Sequence, residues 1–210
     1  MATPATARTE GLRDRKKRET RIALSDAALD LAAERGLDHV TVDDIAERAG
    51  VSTRTFFNYF PSKEDAVLIP DDDLGTRIRT MVLNRPRHEP PLTAVREMLL
   101  DEINTADVDH HRWVLRMQVV QQHPDLLNRA FLSGAATEQQ LAHALAERLD
   151  LPADHTYPRL VAAAAGAAFR VAITRWSTPT DPPDPPDLAD VLSEAFHLLE
   201  RGLPAPTEQP

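Results

Sequence analysis

Four side chains that donate or accept hydrogen bonds, Thr53, Arg54, Asn58 and Tyr59, fall within seven residues of one another. On a helix they share a face, with Phe57 at its edge, while Phe56 and Phe60 at i, i+4 form an apolar face. A guanidinium, an amide and hydroxyls on a short helix match the donors and acceptors on nucleic-acid base edges. They do not make a bond-breaking site. The chain has no glycine-rich phosphate loop, GxSxG elbow, HExxH pair or convincing carboxylate pair, so no enzymatic activity is expected. His110, His111, His123, His143 and His155 do not share one helix face at metal-ligand spacing, and cysteine is absent. No metal and no cofactor are expected.

The elements that must position these groups are short and well punctuated. Residues 41–60 read TVDDIAERAGVSTRTFFNYF. Ile45, Ala46 and Ala49 lie on one face of a helix that Gly50 ends, since glycine accepts the left-handed conformation of a sharp turn. Thr41 with Asp44 three residues on gives a capping-box start to that helix. Ser52 is an N-cap, so the next helix starts at Thr53. Phe56 and Phe60 can then meet Ile45, and the small Ala46 lets the two helices cross closely. The pattern is a helix-turn-helix. Before it, a helix is expected over residues 12–35, with Ile22, Leu29 and Ala32 as its stripe and Gly36 as its stop. After it, Pro61 stops the second helix of the motif, and Ser62 with Asp65 starts a fourth from Lys63. The pattern leaves the course of that fourth helix open across Pro70-Asp71-Asp72-Asp73, and it resumes over 74–83; the aspartates read as a solvated helix entry.

The rest is helical pattern with few breaks. NRPRHEPP (84–91) is a connector. Helices are expected over 92–104, 110–122, from Pro124 to about 149 with a bend near Gly134, and over 157–176. Residues 178–186, TPTDPPDPP, form an extended linker before a last amphipathic helix capped by Asp187. There is no strand signal and no repeat. The fold class is all-α with about nine helices: a disordered tail (1–12), a helix-turn-helix domain (13–62), a helical regulatory and dimerisation domain (63–203) and a second tail (204–210).

The 210 residues carry a net charge of −9, which by itself argues against a polyanionic partner. Its distribution reverses that. Between residues 8 and 21 seven basic residues face three acidic ones, a local +4; from residue 69 onward 13 basic face 21 acidic, a net −8. A basic front and an acidic body suit a protein that offers one end to a polyanion. No apolar run approaches the ~20 residues of a membrane span, and no secretory signal opens the chain, so a cytoplasmic location is expected.

Residues 15–68, which include TVDDIAERAGVSTRTFFNYFPSKEDAV, resemble the tetracycline-repressor (TetR) family of bacterial transcriptional regulators. The resemblance of the remainder lies in length and helical character. It implies a homodimer joined through the last two helices, a palindromic double-stranded operator, and a body cavity whose small-molecule effector changes the spacing of the two DNA-reading heads. Repression is the commoner outcome in the family.

The first residues of the recognition helix enter the major groove, so Ser52, Thr53, Arg54 and Thr55 face DNA, with Arg54 matched to guanine O6 and N7. Asn58 lies beside them. Phe57 stands between two roles, contact with a thymine methyl and core packing; the family often has tyrosine there. By match to the family's phosphate-holding positions, Tyr59 and Lys63 contact the backbone, as does Thr41 at a helix N-terminus. Lys17, Arg18 and Arg21 approach the backbone or minor groove.

For the effector, Leu100, Ile103, Trp113, Met117, Phe131, Phe169 and Trp176 are candidate lining residues. Arg116 or Arg170 would be the polar anchor; each apolar position reads equally as core. The run Ala162-Ala163-Ala164-Ala165-Gly166-Ala167-Ala168 lets helices approach closely, as interface, core or both. Two other functions compete: a constitutive architectural DNA binder, and a regulator controlled by a protein partner or by operator occupancy alone.

Overall fold

The computed structural model describes residues 12–68, 74–105, 109–178 and 186–203, with side chains of the first helix from Arg15 onward. The expected tails, the aspartate run and most of the Pro-rich linker lie outside the described residues. The protein is all-α, with ten α-helices and one 3-10 turn among the described residues. They are α1 (Leu12–Arg35), α2 (Val42–Arg48), α3 (Thr53–Phe57), α4 (Lys63–Leu68), α5 (Leu74–Asn84), α6 (Pro91–Thr105), α7 (His110–Gln122), α8 (Pro124–Arg148), α9 (Thr156–Ser177) and α10 (Leu188–Glu200), with the 3-10 turn at Leu37–His39. The count exceeds nine because the stretch expected as one helix from Lys63 is described as two, α4 and α5.

The chain divides into two compact units. The first takes α1 to α4 together with Gln118–Leu126; the second takes the remainder. In the first unit α1 packs against α2, α4 and the 3-10 turn, and α2 against α3. Leu24, Ala28 and Leu31 at i, i+4, i+7 set the buried stripe of α1, with Leu29 and Ala32 beside them. Ile22, expected on that stripe, is 52% exposed. Two residues turn a helix through more than half a revolution, so the phase that buries Leu24 turns Ile22 outward. Ile45, Ala46, Phe56, Phe60, Ala66 and Val67 complete the core. α4 belongs here, on α1, rather than in the second domain where the sequence reading put it. Lys63 explains the placement: its ammonium donates to the carbonyls of Leu37 at 2.8 Å and Val40 at 2.9 Å.

In the second unit α9 packs on α10 and α6, and α10 on α6. The core is built from Val82, Val95, Leu145, Leu192 and Phe196 around the small residues Ala162, Ala165, Ala168 and Ala172 of α9. Alanines every three or four residues let helices approach closely, as the Ala-rich run suggested. A buried charge holds the connector 84–91. The guanidinium of Arg148 donates to the carbonyls of Val82 at 3.1 Å and Arg85 at 2.8 Å, and also to those of Pro86 and Glu89. It closes the C-terminal end of α5, where helix carbonyls lack intrahelical partners.

Candidate nucleic-acid interface and effector site

Short helices need their ends satisfied to hold still, and both ends of α2 are. Thr41 and Asp44 form a complete capping box at α2. The Thr41 hydroxyl donates to Asp44 Oδ2 at 2.6 Å, its N–H to the same oxygen at 2.9 Å, and the Asp44 N–H donates back at 3.1 Å. These two Thr41 donors, then the Arg35 guanidinium at 2.8 Å, hold the Asp44 carboxyl down at about 2, against an ordinary 3.8. At the other end of α2, Val51 N–H bonds to Ala46 O and Gly50 N–H to Glu47 O, with Gly50 at φ +68°. That is a Schellman closure, which requires the left-handed residue glycine supplies. Arg48 clamps α2 to α1 through two bonds to Glu34 at 3.0 and 2.9 Å, and holds that carboxyl below its usual range.

α3 is shorter than expected, five residues, followed by a turn through Phe60. Its hydroxyls are committed inside the motif. Ser52 Oγ accepts from Thr55 N–H at 3.1 Å and lies 2.9 Å from Thr55 Oγ1, while Thr53 Oγ1 donates to Asp43 at 2.6 Å. Asp43 was missed in the sequence, because its partner lies on the next helix. Arg54 and Asn58 are exposed. Phe57 is 56% exposed and meets Phe56 edge-on at 5.5 Å, so its ring faces outward rather than filling the core. Tyr59 is half-buried, and its carbonyl accepts from Arg21 at 3.2 Å. The Arg21 guanidinium also stacks 4.6 Å over Phe60. It therefore ties α1 to the end of the α3 turn, while Lys16, Lys17 and Arg18 stand exposed before it.

Two groups expected at phosphates already have partners inside the motif. The Lys63 ammonium points inward to two backbone carbonyls and is half-buried. At Thr41 the N-terminus of α2 already holds an anion, the Asp44 carboxylate.

The expected effector residues separate in the same way. Leu100, Ile103 and Phe169 pack together against the core of the second unit. Trp113 is half-buried with Trp176 6.3 Å away, and His110 meets Trp176 edge-on at 4.6 Å. Met117 is half-buried and Arg116 buried. Phe131 and Arg170 lie apart from these: Phe131 is 73% exposed on the first half of α8, and Arg170 faces solvent beside Glu138 at 3.9 Å. An open depression of about 500 Å³ is lined by α8 and the start of α9, including Glu138, His143, Asp154 and Arg159; a shallower one of about 360 Å³ is lined by Arg170, Val171, Thr174 and Arg175. The outer face of α9 carries Leu160, Ala164, Ala167 and Val171 at i, i+4, i+7, i+11, with Leu160 and Val171 more than 60% exposed. No group of three His, Asp or Glu residues able to hold a metal occurs among the described residues. No described helix is long and apolar enough to cross a membrane.

Residues 24–68 match the family model described as bacterial regulatory proteins, tetR family, and residues 89–204 match the MftR C-terminal domain. The chain is 33% identical over 189 residues to the HTH-type transcriptional regulator TcmR of Streptomyces glaucescens, covering 85% of this chain and 84% of that protein. Among solved structures, the fatty acid degradation regulator FadR of Bacillus halodurans superimposes with a TM-score of 0.58 at 19% identity, over 93% of this chain and 98% of that one. FadR of Thermus thermophilus, solved in complex with lauroyl-CoA, does so with a TM-score of 0.51 at 23% identity, over 90% and 98%. At these identities the structural likeness concerns the fold.

Proposed function

The chain belongs to the tetR family of bacterial regulatory proteins, and from that premise we propose that it is a cytoplasmic, sequence-specific DNA-binding repressor acting as a homodimer. One observation carries the reading. α3 presents Arg54, Phe57 and Asn58 outward on a helix whose hydroxyls, ends and neighbours are fixed by hydrogen bonds inside the motif. Side chains set before binding lose less freedom on binding. Arg54 reads guanine through its fork, Phe57 meets a thymine methyl, and Asn58 bonds beside them. Lys17 and Arg18 supply backbone attraction. Ser52, Thr53 and Thr55 act mainly by holding the helix, with Asp43 as the partner that fixes Thr53.

One short helix reads few bases, so two copies are needed. The outer stripe of α9, with Leu198 of α10, is the surface we assign to the partner copy. Two-fold symmetry then requires a palindromic operator with half-sites one helical turn apart, about 34–36 Å, or a multiple. Release by a small molecule is supported by the family and by the lauroyl-CoA complex of a structural neighbour. Control by a protein partner, or by operator occupancy alone, is the second reading.

Selection of bound fragments from a random DNA pool tests the proposal. A two-fold palindrome is expected. Enrichment of an asymmetric site, or none, overturns it.

A further inference from the structure

Among the described residues of the second unit, two side-chain atoms are buried without a hydrogen-bond partner: His110 Nδ1 and Trp113 Nε1. They are three residues apart on α7, hence on one face, and both rings pack around Trp176. More than nine in ten buried polar groups find a partner, and an unpaired one costs stability. Two such atoms at one place, walled by aromatic rings, describe a recognition point rather than a packing accident.

We infer that this cluster is the polar subsite for the effector and that it recognises a hydroxyl on a flat aromatic body. The inference rests on the effector-responsive reading above. The indole N–H can only donate, whereas imidazole Nδ1 accepts in one neutral tautomer. A hydroxyl oxygen is the small group that accepts from the indole and donates its own proton to the imidazole nitrogen. Trp176 supplies the apolar surface: His110 stands at 83° to it and Trp113 at 47°, so the three rings form an angled wall suited to offset or edge contact with a planar ligand. Trp113 and His110 are the residues that distinguish a hydroxylated ligand from its bare hydrocarbon.

The chain has two tryptophans, and both are in this cluster, so its two indole N–H signals report on the site without labels elsewhere. The full-length protein, ¹⁵N-labelled, is titrated with 2-naphthol and, separately, with naphthalene. With 2-naphthol the Trp113 indole proton is expected to move downfield and saturate; naphthalene is expected to bind about tenfold more weakly without that shift. Trp113→Phe keeps a ring, removes one of the two signals and is expected to bring 2-naphthol down to the affinity of naphthalene; His110→Phe is expected to do the same while leaving both signals. Equal affinity for the two probes, binding of neither, or a Trp113 signal already hydrogen-bonded to water and unmoved by 2-naphthol would overturn the inference. The wild-type titration decides even where a variant fails to fold. DNA selection run on the same preparation separates the two ideas: an operator with no response to 2-naphthol sinks the inference alone, and failure to enrich an operator sinks the functional reading.

Discussion

α3 and α9 both turn apolar side chains to solvent, and the difference between them lies in what surrounds those side chains. On α3, Phe57 sits among Arg54, Asn58 and a set of hydroxyls fixed by their neighbours. On α9, Leu160 and Val171 flank two alanines in a row with one helical phase. A ring among directed donors suits a surface with donors, acceptors and an occasional methyl group. A smooth stripe of small and aliphatic residues suits another helix. Exposure alone would have classed the two together; the neighbours separate them.

Charge placed on the smooth stripe is the hardest test of that division. Ala167→Asp is expected to convert the dimer to monomer in sedimentation and to lower operator affinity by about a thousandfold, to the non-specific level. A stable dimer carrying this change would remove α9 from the interface. On the other face, Arg54→Ala is expected to cost about 1–3 kcal/mol and to relax one operator position, measured by competition among single-base operator variants. Equal loss on every sequence would reduce Arg54 to a phosphate contact.

Lys63→Met sharpens the boundary between reading and holding. It keeps the aliphatic stem and removes two carbonyl bonds, so a loss of about 1–3 kcal/mol in folding stability is expected, with the salt slope of DNA binding unchanged. A slope flatter by about one unit would return Lys63 to the DNA backbone. The smallest effect concerns acid. The Asp44 carboxyl is depressed in the folded state, so its contribution to stability is complete above about pH 4 and is lost as the pH falls toward about 2. Asp44→Asn is expected to lower the melting temperature at neutral pH, with the gap to wild type closing over that range.

Much of the reading unit was legible because its signals are local. The Thr41–Asp44 box, the Ser52 cap and the Gly50 turn each close within six residues, and the sequence contains both partners of each. The bonds of Lys63 were not legible, because its carbonyls lie 23 and 26 residues away. Asp43 escaped for the same reason, and so did the bond from Arg21 to the Tyr59 carbonyl: the partners lie on other elements. The body was less legible still. Arg148 serves four carbonyls across a gap of roughly sixty residues, and no pattern announces it. Phe131 looked like a pocket residue because aromatic rings usually seek shelter. Helical periodicity fixes which residues share a face, but not whether that face has anything to lie against.

The bond from Lys63 has a mechanical meaning. It latches the start of α4 to the turn that ends α1, while Arg21 ties α1 to the end of the α3 turn and Arg48 ties α2 to Glu34. Three basic side chains thus brace four helices into a stiff block. A pull on α4 has little slack to take up before the whole block moves, so a push of that kind would swing the reading helix as a rigid arm instead of bending it.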